Sequence, residues 1–185
     1  MRKDKIERKF GAMIKKFLRW LIEKMDKSYH KKHHLILIPG CKNECFYINS
    51  HPYEGEEKVL EGGIRIQKGD SIIEIHMNNQ KSDELNDIKT IMRVLKEALK
   101  ALAVLFQTEE YKNCKAVYGN TLLYPIAEKF GFEVLEVDEK DVDKAGQLWE
   151  NMIKYAYSEK GKKLESRISK EIWYEKERLI NKWSK

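Results

Sequence analysis

Glu74 and His76 stand two residues apart in the alternating run 71–77, Ser-Ile-Ile-Glu-Ile-His-Met, and Asn78 and Asn79 follow it directly. In an extended strand this spacing puts a carboxylate and an imidazole on one face, about 7 Å apart and within reach of one small ligand. Such a pair can share acid–base work, which makes Glu74 and His76 the candidate catalytic residues and Asn78 and Asn79 candidate ligand-binding residues. A plainer reading carries more weight: Glu74 on a partly wet face, His76 in a buried hydrogen bond, and the asparagines forming the turn that ends the strand. A second group, Gly119-Asn120-Thr121, reads as a glycine turn into a helix with Pro125 in its first turn. Free N–H groups at a helix start can hold an anion, so Asn120 and Thr121 join the candidate ligand-binding residues. Neither a lysine nor a second glycine follows, and ordinary helix capping is the preferred reading there.

Cys41 and Cys45, near His30, His33, His34 and His51, are of the residue types that bind zinc. They have no second cysteine pair, the histidines lie in a lysine-rich joint, and Cys114 is isolated; no metal site is assigned, and free thiols in a reducing cytoplasm are expected. No Gly-x-Ser-x-Gly elbow and no His-Glu-x-x-His pair occurs.

These groups need strands to carry them. Residues 35–38 read as a short strand buried on both faces, 59–66 and 71–77 as two strands joined near Gly69, and 115–118 and 132–137 as further strands. Helices are expected over 4–27, from a cap at Asn86 or Asp87 onward to Phe106, after Thr121 as far as Gly131, over 141–157, and over 162–183. The order describes an α/β domain with a mixed sheet flanked by helices. If 71–77, 115–118 and 132–137 are parallel and joined by right-handed crossovers, their carboxyl ends gather His76, Asn78, Asn79, Gly119, Asn120, Thr121 and Asp138 along one edge.

With 185 residues, 42% of them hydrophobic and 36% charged, the chain has room for one core with appendages, divided as a basic helix 1–30, an α/β domain 31–158 and a packed C-terminal helix 159–185. The net charge of +6 is unevenly placed: residues 1–34 carry +8, residues 159–185 carry +4, and the middle carries −6. A nucleic-acid-binding core would hold its positive charge on the folded middle, so no nucleic acid partner is expected. No apolar stretch approaches the length of a membrane span and the N-terminus lacks a secretory pattern, which points to the cytoplasm. The basic amphipathic helix at 1–30 suits core packing first and peripheral membrane contact second.

The segment Gly69-Asp70-Ser71-Ile72-Ile73-Glu74-Ile75-His76-Met77-Asn78-Asn79 resembles the YkoP-like family, small bacterial domains found alone or attached to polysaccharide deacetylases. The likeness extends to Tyr118-Gly119-Asn120-Thr121-Leu122-Leu123 and Lys129-Phe130-Gly131-Phe132-Glu133-Val134. It implies an accessory role in envelope or spore polysaccharide modification, with a polysaccharide-modifying enzyme or a small polar ligand as partner and no cofactor. Residues 123–134 are also similar to the end of GNAT acyltransferases, where a helix runs into a strand through a Gly-Phe pair. That second resemblance implies a GNAT-like three-layer sandwich and, as the alternative activity, N-acyl transfer from acetyl-CoA. The acetyl-CoA loop of that family would fall at 78–87, which contains no glycine, so the pyrophosphate has no obvious cradle.

Overall fold

The computed structural model describes residues 2–85, 87–136, 144–157 and 168–184. Its elements are α1 (Arg2–Lys32), β1 (Ile36–Leu37), β2 (Phe46–Pro52), β3 (Lys58–Val59), β4 (Arg65–Ile66), β5 (Ser71–Met77), a 3-10 helix (Asn79–Glu84), α2 (Ile88–Leu105), β6 (Ala116–Thr121), α3 (Tyr124–Phe130), β7 (Glu133–Leu135), α4 (Lys144–Tyr157), β8 (Lys170–Glu175) and α5 (Lys176–Trp183). Among the described residues, no helix is long and apolar enough to cross a membrane.

Six strands make a mixed sheet in the order β1-β2-β5-β6-β8-β7. Strands β5 and β6 are parallel, and the other neighbours are antiparallel. Because β8 opposes both β6 and β7, the strands β5, β6 and β7 all point one way, and their carboxyl ends share an edge as the sequence led one to expect.

The strand period of two divides β5 into Ile73 and Ile75 on one face and Ile72, Glu74 and His76 on the other. The first face holds the larger core, where Ile48, Ile73, Val117, Ile172 and Tyr174 meet Val94, Leu95, Leu99 and Leu102 of α2, together with Phe130 and Leu179 from α3 and α5. Asp87 caps α2, its carboxylate accepting from Thr90 N–H at 3.0 Å, one of the donors that a helix start leaves unpaired. The α3 helix ends at Gly131 with φ +105°, where a side chain would meet Tyr174 Oη at 2.8 Å. The second face has a smaller core of Tyr53, Leu60, Ile66, Ile72, Ala116 and Trp173, with Ile64, Tyr118 and Leu135 packed against it.

Three expectations are corrected. Residues 162–183 were expected as one helix, yet 170–175 form β8 inside the sheet. Ile172, Trp173 and Tyr174 are consecutive and all buried, Ile172 and Tyr174 in the larger core and Trp173 in the smaller. Only a strand covered on both faces buries three neighbours in that way. Among the described residues of the segment 159–185, 170–175 are strand and helix is confined to α5; residues 158–167 lie outside the described residues. The hairpin expected between 59–66 and 71–77 is also absent. Strands β3 and β4 pair with each other through Lys58↔Ile66 and Val59↔Arg65, around a turn in which Gly63 takes φ +83°, and β5 pairs with β2 instead. Finally, residues 35–38 supply only the edge strand β1, whose Ile36 and Leu37 are exposed because it has a neighbour on one side alone.

Candidate functional site

The antiparallel register of β2 and β5 sets Asn49 opposite Glu74 and Tyr47 opposite His76. Side chains of like parity share a face, so Tyr47, Asn49 and His51 stand beside Ile72, Glu74 and His76. Glu74 Oε2 lies 3.1 Å from His51 Nε2 and 3.5 Å from His76 Nε2. His76 Nε2 also lies 3.0 Å from Asn49 Oδ1. Both neighbours of His76 Nε2 are oxygens, an arrangement that suits the tautomer with its hydrogen on that nitrogen. The other nitrogen of His51, Nδ1, is 2.9 Å from the carbonyl of Pro52, so both ring nitrogens of His51 face acceptors.

Burial pushes the Glu74 carboxyl up, but hydrogen bonds and charge from His76 and His51 pull it down further and leave it below its ordinary value. Tyr118, opposite Glu74 on β6, has its phenol pushed up by burial and then by the Glu171 and Glu74 carboxylates. The end of α1 overhangs the group: the Tyr29 ring meets His76 edge-on at 5.8 Å and His33 at 4.2 Å, and the His30 ring lies 4.3 Å from Tyr47. The roof is partial, for the side chains of His76 and Glu74 keep 19% and 23% of their surface in water. A carboxylate held between two imidazoles can accept a proton or a hydroxyl hydrogen bond and pass charge to either ring.

Of the expected residues, Glu74 and His76 are brought together, while the asparagines have other work. Asn78 is buried, donating to the Glu44 carbonyl at 2.8 Å and accepting from Gln80 N–H at 3.1 Å, so it builds the turn after β5. Asn79 donates to Asp26 Oδ2 of α1 at 3.0 Å, which ties the 3-10 helix to α1. Gly119, Asn120 and Thr121 belong to β6 rather than to a turn, a correction that follows from their pairing with Ile172, Glu171 and Lys170. Thr121 Oγ1 accepts from Leu123 N–H at 3.0 Å ahead of α3.

These three residues border a separate cavity of about 70 Å³. Strands β5 and β6 are in register only at Ile73↔Val117 and Glu74↔Tyr118; beyond that, residues 75–77 and 119–121 line the opening with Phe46, Leu95 and Phe132. His76 touches both the cavity and the polar group. Asp138 lies outside the described residues. Cys41, Cys45 and Cys114 are free thiols, and the described residues hold no group of three or more His, Cys, Asp and Glu placed to bind a metal ion.

Asn49, His51 and Tyr29 were not among the expected site residues. Alternation in 46–52 could have placed Asn49 and His51 on a shared face with Glu74, had the β2–β5 pairing been known.

Asp26 is buried beneath this roof, and burial raises its carboxyl above the ordinary value despite the hydrogen bond from Asn79. An acid raised on folding opposes stability once ionised, and the opposition fades as pH falls through the raised folded value and is gone below the unfolded one. Asp26→Asn keeps an oxygen for Asn79 and removes the buried charge. Its melting temperature is therefore expected above that of the wild type near neutral pH and equal to it in acid, as differential scanning calorimetry at the two pH values would read.

The chain is 26% identical over 120 residues to "Uncharacterized protein YkoP" of Bacillus subtilis (strain 168), a match that covers 60% of this chain and 66% of that protein, just under two thirds of its length. No solved structure matches. The family model described as "YkoP domain" matches residues 15–183, from within α1 to the end of α5, and the chain therefore belongs to the YkoP domain family.

Proposed function

We propose that this chain is a cytoplasmic accessory domain of envelope or spore polysaccharide modification that holds a sugar unit against Asn49, His51, Glu74 and His76. The observation that supports the reading best is the single oxygen, Glu74 Oε2, set 3.1 and 3.5 Å from two imidazole nitrogens on a face partly open to water. A pyranose offers hydroxyls that donate and accept, and a C–H face that lies against an aromatic ring. Carboxylate, amide and imidazole beside the exposed Tyr29 ring match both features. The partner class follows the family resemblance. Thermal melting with oligomers of glucosamine and of N-acetylglucosamine tests it: one of the two should raise the melting temperature of the wild type, since a ligand of the folded state stabilises it. A panel that leaves the melting temperature unmoved would sink the reading.

A second reading, N-acyl transfer from acetyl-CoA on a GNAT-like sandwich, is favoured by one feature: the cavity beside Gly119 and Asn120, past the last register pair of β5 and β6. Against it, residues 79–84 wind into a 3-10 helix without a glycine, which is poor material for a pyrophosphate cradle. Millimolar acetyl-CoA is expected to leave the melting temperature unchanged, and a clear rise would make the acyltransferase the better account.

A further inference from the structure

We infer that the outward face of α1 is a docking surface for an anionic lipid bilayer. The inward face of this helix is already engaged: Ile22 and Asp26 are buried, Arg19 Nε donates to the Ala156 carbonyl of α4 at 2.9 Å, and Lys15 lies over the Tyr155 ring. Met13, Phe17 and Trp20, spaced by four and three residues, form a line on the opposite side. They are 61%, 59% and 54% exposed, although a helix that merely covered a core would turn such side chains inward. The Phe17 and Trp20 rings stack at 5.9 Å, and Lys24 sits over Trp20 at 5.4 Å. Lys16 and Lys27 are also exposed on this side, and Glu23 is the acidic residue at its margin.

Charge selects the occupant. Residues 1–34 hold twelve Lys and Arg against four Asp and Glu, while the middle of the chain is acidic. A second copy would set lysines against lysines, and one line of three apolar residues is small against the roughly 800 Å² per partner that a stable protein interface buries. A bilayer fits both features: methionine and aromatic side chains enter the boundary between headgroups and acyl chains, and lysine stems reach outward to anionic headgroups. The docked state is peripheral and gives way to salt.

Flotation of the full chain with phosphatidylcholine vesicles, with or without phosphatidylglycerol, tests the inference. Recovery in the floating fraction is expected with phosphatidylglycerol at about 0.1 M salt and lost at roughly 1 M salt or with phosphatidylcholine alone. The double variant Phe17→Ser/Trp20→Ser should lower recovery by about tenfold or more with little change in melting temperature, because both side chains are more than half exposed. The variant Lys16→Gln/Lys24→Gln/Lys27→Gln should lower it as well. The inference is overturned if the intact chain does not float, if the double variant floats like wild type, or if the exposed line instead holds a lipid-independent dimer that the double variant dissociates in sedimentation.

Discussion

Replacing Trp173 by alanine is expected to cost about 3 to 5 kcal/mol of unfolding free energy, the range for removing a fully buried aromatic side chain. The indole has no exposed surface and packs between Tyr53, edge-on at 5.4 Å, and Tyr118 at 4.6 Å, while its Nε1 donates to Glu171 at 3.2 Å. Neighbouring rings at that spacing add to the area term. The loss should register as a lower urea midpoint at an unchanged slope. If Trp173 instead lay on a helix outside the sheet, the variant would unfold within about 1 kcal/mol of wild type, as surface substitutions generally do.

The second large effect belongs to Glu74. Two imidazoles depress its carboxyl, so ionised Glu74 contributes stability that is fully present above the unfolded value of 4.5 and is lost as pH falls through the lower folded value. Glu74→Gln should remove this acid-side loss, leaving a flatter decline of melting temperature below that pH. The same substitution should weaken binding of the stabilising saccharide by about tenfold or more, since hydrogen bonds to a charged group contribute roughly 1.5 to 3 kcal/mol. Calorimetry across pH reads the first effect and a binding titration the second. Unchanged affinity in a folded variant would remove Glu74 from the site while leaving its role in stability intact.

Much of the frame was legible because it rests on local signals. Asn86 or Asp87 with the apolar spacing from Ile88 onward marked α2, Pro125 and Gly131 bracketed α3, and the parallel direction of β5, β6 and β7, taken as a condition in the sequence reading, holds in the sheet. The last strand was hidden by a coincidence of spacing. Ile168, Ile172, Leu179 and Trp183 fall at helical intervals, while the stronger strand signal, Ile172-Trp173-Tyr174, acquires its meaning only when both faces are covered. Half of the polar group was legible on the same terms. Glu74 and His76 share a face by the geometry of any strand, but Asn49 and His51 join them through a pairing across more than twenty residues that no local pattern encodes. The amphipathic reading of the basic helix did not separate its apolar residues either: Leu18 and Ile22 turn inward, yet Met13 and Phe17 face water.

Contact of Glu74, its two imidazoles and Asn49 with the ligand is open to observation. Its most direct measurement is a nuclear magnetic resonance titration of the isotope-labelled chain with the saccharide oligomer that raises its melting temperature, following the ring signals of His51 and His76, the side-chain carboxyl of Glu74 and the side-chain amide of Asn49. These four groups are expected to show the largest displacements, and Glu74→Gln is expected to shrink those of the other three at the same saccharide concentration without unfolding the domain. Displacements confined to Gly119, Asn120 and Thr121, or spread over other surfaces while the four groups stay still, would contradict that contact.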